Sequence, residues 1–496
     1  GGLAGIEAAL AAAEAGRRVT IVEKDIAAGG VLPRLDEIAP VMECAPCLMA
    51  PRLAALVEHP DIRVLASTDV VQLRGFLGNF TLTVRRRPRF VTDACTACEA
   101  CFPVCPAQVP ARGLAGPRKA IYSLFPGSVP STAAIDPQAC LRFHSQDCSA
   151  CAEACPTAAI RYADEPEELE IPAGALLLAV GGRGAHSPAL AALGYGDSPD
   201  VLTLEDCEAR LAPDGPTRGE ILCSDGRKPQ SVAVVHCAGS LCPDGLPYCS
   251  GVCCRLAVKA AALVRKRHPD AELVHLHDRL VFPTPDSEDA LRAHREAGAR
   301  FLRTDPASVR VRPVEGGLEI SAANVPEFRA DLVLLANGVV PAEDLAGLAD
   351  RLGVPLDDHG FVRRRHDVLG GAASEVPGIW AAGACLRPAL AAEAVADAKT
   401  ALGHILARLV PARKIPLEPM PATVDEDLCG GCRMCVTACP YHAIEFDAAR
   451  RTARILEEVC QGCGSCGAVC PDRAIHTSQF SGAQLAAETT GVLDEH

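Results

Sequence analysis

Residues 232–254 read VAVVHCAGSLCPDGLPYCSGVCC. The first six make a compact apolar run with β-branched residues, the pattern of a strand buried in a parallel sheet. In a nucleotide-binding unit such a strand runs into a glycine-rich turn, which lets a pyrophosphate approach the backbone. Here it runs instead into Cys237, Cys242, Cys249, Cys253 and Cys254. The strand is that of a dinucleotide domain, and thiols stand where its fingerprint belongs.

A chain of 496 residues exceeds one compact core, so about two to four domains are expected. Hydrophobic content of 49% and charged content of 22% describe an ordinary soluble globular protein. No apolar run approaches the roughly 18–20 residues of a membrane span. A net charge of −14 argues against nucleic acid as a partner, because phosphate-binding faces are basic. The 26 cysteines are the outstanding number. Disulfide-dense chains are usually small and secreted. A long chain with this many thiols points to metal or cluster ligation in the reducing cytoplasm.

The thiols are patterned. Residues 95–106 read CTACEACFPVCP, 429–440 read CGGCRMCVTACP and 460–471 read CQGCGSCGAVCP. A stretched version places Cys140 ahead of CSACAEACP at 148–156. Three cysteines two residues apart, then a fourth before proline, is the bacterial ferredoxin run, whose fourth cysteine ligates the other cluster of a pair. The crossed sets are then Cys95, Cys98, Cys101 with Cys155, and Cys140, Cys148, Cys151 with Cys105. In the C-terminal module they are Cys429, Cys432, Cys435 with Cys470, and Cys460, Cys463, Cys466 with Cys439. Zinc also takes paired CxxC ligands, but four thiolates would satisfy it and leave half of each run without a role.

The chain opens GGLAGIEAALAAAEAGRRVTIVEKD, an Ala-rich helical stretch followed by a strand ending in Glu23. Gly2 and Gly5 fit the second and third glycines of a dinucleotide fingerprint, and Glu23 lies about 20 residues on, where a carboxylate binds ribose hydroxyls. The first glycine and its strand would lie upstream of Gly1. Further strand-plus-glycine stretches are GALLLAVGGRG at 174–184, ADLVLLANGVVP at 330–341 and GIWAAGACLRP at 378–388. Strands ending in glycine allow a cofactor close to the backbone. Gly29, Gly30, Gly181, Gly383 and Ala384 join the candidate cofactor contacts. The first ferredoxin module sits between two strand-like stretches, NFTLTVRRRPRFV at 79–91 and the one near 167–182, and so reads as an insertion into an α/β domain.

In this order CAPCLMAP at 44–51, the inserted module, the 237–254 cysteines, GIWAAGACLRP and the terminal ferredoxin pair make the chain similar to the A-subunit family of heterodisulfide reductases over nearly its whole length. The fold expected is α/β, a thioredoxin-reductase-like flavoprotein of two dinucleotide-binding domains with inserted and C-terminal two-cluster ferredoxin-like α+β domains. Expected boundaries are 1–90, 166–228 and 342–415 for the FAD-binding domain, 91–165 for the insertion and 229–341 for the nicotinamide-domain-like unit. The C-terminal ferredoxin domain is expected at 416–480, with a tail at 481–496.

The resemblance implies FAD, and it implies a further [4Fe–4S] cluster on Cys237, Cys249, Cys253 and Cys254, about five clusters in all. Where many flavoproteins have Gly-Asp this chain has Gly383-Ala384, a departure the family shares. Lys259, on the stretch RLAVKAAALVRKR, either approaches the flavin and its nearby cluster or is a solvated helix lysine. Cys44 and Cys47 either complete a cluster with upstream cysteines, the reading favoured here, or form a redox dithiol. Cys207, Cys223, Cys242 and Cys385 are expected to be structural thiols. The implied activity is electron relay and bifurcation within a homodimer inside a larger complex. Its partners would be a disulfide-reducing component, a small iron–sulfur protein, a hydrogenase or formate dehydrogenase donor, and ferredoxin. The competing readings are a stand-alone NAD(P)H-dependent disulfide reductase and a zinc-stabilised scaffold.

Overall fold

The computed structural model describes all residues except 111–116, 145–146, 213–214, 411–419, 479–481 and 495–496. Its first unit begins with the helix Leu3–Glu14. Alanine, the best helix former, fills its faces, and the chain turns out of it at Gly16 with φ +73°, a left-handed stop that glycine adopts without strain. The strand Val19–Val22 follows and pairs in parallel with Ile62–Leu65. Ala4, Ala8, Ala382 and Ala398 form one buried cluster. Small side chains let the helix Ala391–Arg408 come close against Leu3–Glu14. Leu176–Leu178 pairs in parallel with Ile379–Ala381, drawing the return segment back into this unit.

An antiparallel sheet of order Glu167–Ala173, Asn79–Arg86, Thr68–Phe76 carries the insertion. Arg86 and Glu167 are directly opposite each other. The inserted module therefore leaves and re-enters at neighbouring positions of one strand pair, and the sheet closes as though nothing intervened. The module has its own core, which includes Ile121, Ala159, Cys105 and Cys151. The C-terminal module has another around Ile444, Ala453, Cys435 and Cys466, with its first and last strands, Thr423–Val424 and Ile475–His476, paired.

The second unit is a five-stranded parallel sheet of order Val201–Thr203, Leu332–Asn337, Ser231–Ala238, Glu272–His277, Arg300–Arg303. Val232 through Val235 are all buried, as strands covered on both faces must be. The boundary expected at 228 is corrected: it does not separate the units, because Val201–Thr203 pairs with Val333–Leu335 at the sheet edge. The next helix, Leu204–Leu211, is started by a capping box between Thr203 and Asp206 and packs in the same core. The boundary expected at 415 lies outside the described residues. A short ribbon, Gly182–Gly184 against Val339–Pro341, joins the two units. Among the described residues no helix is long and apolar enough to cross a membrane.

Candidate functional site

A cavity of about 1300 Å³ runs from the N-terminus of the helix Leu3–Glu14 to the seam between the two units. Gly2, Gly5, Glu23, Gly30, Gly181, Gly383 and Ala384 line it. A Cβ on Gly30 would stand 2.7 Å from the Gly2 Cα, and Gly30 has φ +66°. Both facts demand glycine there and open the backbone to a bound group. Glu23 ends its strand with the side chain 14% exposed, and its Oε1 accepts from the Asp25 N–H at 2.8 Å. Helix N–H groups at one point of the wall and a carboxylate beside them match a pyrophosphate and a ribose. These residues fit FAD. Gly29 is different: it does not line the cavity, and a Cβ there would strike the Phe125 ring of the inserted module. That glycine serves the packing of the insertion.

Lys259 also lines the cavity and is 2% exposed. Its Nζ donates to the Glu37 carbonyl at 3.0 Å and pairs with Glu208 Oε1 at 2.5 Å. The solvated-lysine reading fails. Lys259 is on the face with Leu256 and Leu263, three residues before it and four after, while Lys266 stays 67% exposed beside Glu37.

Each crossed cysteine set comes together. One hollow is lined by Cys95, Cys98, Cys101 and Cys155, a second by Cys105, Cys140, Cys148 and Cys151, and a third by Cys429, Cys432, Cys435 and Cys470. In the fourth set, burial pushes the Cys466 thiol up to about 11, and Cys460, Cys439 and Cys463 act on it as neighbours. Among the described residues no three His, Cys, Asp or Glu side chains converge as a single metal ion requires.

The strand Ser231–Ala238 carries an irregularity between Val235 and Ala238, and Cys237 sits at φ +55°. This costs backbone energy for a residue with a Cβ, and such strain tends to be kept where it aims a side chain. Cys253 and Cys254 begin the helix Cys253–Arg267. Burial, with Cys254 and Cys249 nearby, pushes the Cys237 thiol up to about 12. The Cys254 thiol is lowered to about 4 by a hydrogen bond from Cys253 and, against its burial, by His236. His236 Nδ1 is buried on the side facing Cys254. Four neighbouring thiols with a buried imidazole nitrogen beside them fit an iron–sulfur cluster. Cys242 lies in the turn before Gly245, its carbonyl accepting from the Gly245 N–H at 3.2 Å. Cys207 and Cys385 are fully buried.

The sulfurs of Cys44 and Cys47 are joined, with Cα atoms 5.3 Å apart, the arrangement of a redox dithiol, the second expectation. Cys44 is the N-cap of the helix Ala45–Glu58, so Cys47 follows one turn later on the same side, within bonding reach.

Residues 253–398 match the pyridine nucleotide-disulphide oxidoreductase family, and residues 422–477 the 4Fe–4S dicluster domain. The iron–sulfur A-subunit of the CoB–CoM heterodisulfide reductase of Methanocaldococcus jannaschii is 36% identical over 458 residues, covering 90% of this chain and 69% of that protein. The A-subunit of the H2:CoB–CoM heterodisulfide,ferredoxin reductase of Methanothermobacter marburgensis is 33% identical over 466 residues, covering 92% and 70%. The A-subunit of the H2/formate:CoB–CoM heterodisulfide,ferredoxin reductase of Methanococcus maripaludis is 34% identical over 458 residues, covering 90% and 68%.

Proposed function

The chain belongs to the A-subunit family of heterodisulfide reductases, and from that premise we propose that it relays and bifurcates electrons between one donor protein and two acceptors. It is a flavin- and iron–sulfur-dependent oxidoreductase carrying FAD and [4Fe–4S] clusters. In our reading the donor is of hydrogenase or formate dehydrogenase type, and the acceptors are a disulfide-reducing partner and ferredoxin. This agrees with the names its relatives bear. The assembly is a cytoplasmic complex containing two copies of the chain.

FAD exchanges electrons in pairs or singly, and the clusters carry them singly. The chain's residues hold and orient these groups. Gly2 and Gly5 would bring the helix N-terminus to the pyrophosphate, Glu23 would take the ribose hydroxyls, and Lys259, paired with Glu208, would stand at the flavin's wall of the cavity. The four crossed sets would hold clusters in the two ferredoxin modules, and Cys237, Cys249, Cys253 and Cys254 would hold a fifth.

One observation carries the proposal. The helix Cys253–Arg267 bears two nest cysteines in its first turn and Lys259, on the cavity wall, in its second. A single rigid element thus runs from the cysteine nest to the cavity wall, and would link a cluster held by the nest to a flavin held in the cavity. The test is Cys254→Ser in the complete protein. FAD and the four ferredoxin-module clusters should stay, while cluster reduction after flavin reduction by an artificial donor is lost. Transfer at the unsubstituted rate, or tight saturable reduction of the parent protein by NADPH, would sink this reading.

A further inference from the structure

Three histidines from three elements stand in line behind the cysteine nest. His236 is on the strand Ser231–Ala238, His275 on the neighbouring strand Glu272–His277 and His294 on the helix Pro285–Glu296. His236 Nε2 is 2.9 Å from His275 Nδ1, and His275 Nε2 is 3.0 Å from His294 Nε2. Their exposures are 0%, 0% and 5%. The His275 ring stacks on Phe301 with centroids 4.3 Å apart and planes 9° from parallel, which holds both its nitrogens along the line of the array.

A neutral imidazole has one N–H donor and one bare acceptor nitrogen. Burial holds His275 neutral, and the neighbouring His236, His294 and His277 rings and Arg265 reinforce this. Burial, with Arg265 and His236, pushes His294 down to about 4. Each contact between rings requires one donor and one acceptor. The row therefore has two senses, with every N–H between rings pointing toward the nest or every one pointing away.

The inner end decides between them. His236 Nδ1 is buried, and the His236 ring lies against Cys254 and interacts with it. A bare nitrogen there would set its lone pair against anionic sulfur, whereas an N–H would make a hydrogen bond to it. We propose that the array is locked in the inward sense: His294 donates to His275, His275 to His236, and His236 Nδ1–H to a sulfur of the cluster held in the nest. This rests on the reading that Cys237, Cys249, Cys253 and Cys254 hold a cluster. The consequence is electronic. Hydrogen bonds to cluster sulfurs tune reduction potential, and an N–H stabilises the more negative reduced form, so the array raises the potential of this one cluster. His275 and His294 are positioning residues that hold the His236 ring in place, so that its Nδ1–H stays aimed at the sulfur. His277 faces His236 edge-on with centroids 6.4 Å apart and belongs to neither contact.

Two measurements on the complete, anaerobically purified protein test this. In unsubstituted protein labelled with 15N-histidine, pulsed EPR of the reduced nest cluster should show one nitrogen coupling and one exchangeable proton. Potentiometric titration should give a lower midpoint for that cluster in His275→Leu and His294→Leu, with iron and FAD contents unchanged. His294→Gln keeps an N–H donor and should restore the unsubstituted midpoint. Absence of the 15N coupling, or an unmoved midpoint in His275→Leu with full iron, overturns the array while leaving the nest reading intact. An iron count one cluster short in the unsubstituted protein overturns both.

Discussion

Lys259 and Glu208 form an ion pair from which water is nearly excluded: Nζ lies 2.5 Å from Oε1, and the side chains are 1% and 9% exposed. The pair ties the helix Cys253–Arg267 to the helix Leu204–Leu211, and the Glu37 carbonyl adds a tie to the loop before Cys44. Glu208 Oε2 is buried with no hydrogen-bond partner. Burial pushes the Glu208 carboxyl up, against the pull of Lys259. The carboxylate stays in place because the lysine does.

Lys259→Met should therefore destabilise the second unit by about 3–5 kcal/mol, the usual cost of leaving a buried charge uncompensated. Lys259→Met combined with Glu208→Leu should recover most of that loss. Denaturant unfolding followed through the flavin signal compares the single and double variants. Equal losses in both would mean that the pair is not coupled.

Cys470→Ala should damage the cluster held by Cys429, Cys432 and Cys435 and spare the one held by Cys460, Cys463 and Cys466. The basis is the hollow in which Cys470 meets the first three. Mössbauer or EPR spectra of the variant distinguish the two clusters, and loss of the Cys460 cluster would refute the crossed arrangement.

Gly30→Ala should lower FAD affinity about tenfold or more. The added methyl would sit 2.7 Å from the Gly2 Cα at φ +66°, and strain in a left-handed position costs on the order of 1–3 kcal/mol. Flavin release during dilution is the measurement. Gly16→Ala, also at positive φ but with open space around it, should change stability while leaving flavin affinity alone.

His294 predicts a pH dependence. Its ordinary value is 6.5 and its folded value about 4, so between these the unfolded chain binds the proton and the folded one does not. Stability is complete above about pH 6.5 and falls as pH drops toward 4, by up to about 3 kcal/mol at 1.36 kcal/mol per unit. His294→Leu should flatten the slope of stability between pH 7.5 and 5.5. An unchanged slope would show that the imidazole protonates freely in the folded protein.

The ferredoxin modules were legible because their ligands are local. Spacings of two and three residues place thiolates within one turn, so reading Cys95 to Cys105 or Cys460 to Cys470 needs no knowledge of distant chain. The insertion was legible for a related reason, since both its flanks read as strands. The sheet edge Val201–Thr203 was not, because three residues carry too little periodicity to say which sheet they join.

From the sequence alone came the order of units, the four cysteine runs and the displacement of a glycine fingerprint by thiols, all of which depend on residues close in the chain; the crossing between runs came from the ferredoxin pattern. Tertiary structure alone decided the burial of Lys259, because the basic residues around it mask a face that only packing against Glu208 defines. It alone decided that Gly29 meets Phe125. It alone aligned His236, His275 and His294: the pairing of Val234 with His275 fixes the register between their strands, and the helix Pro285–Glu296 delivers the third ring. Such contacts join residues tens of positions apart, and their geometry is set by sheet register and helix packing, which no local spacing encodes.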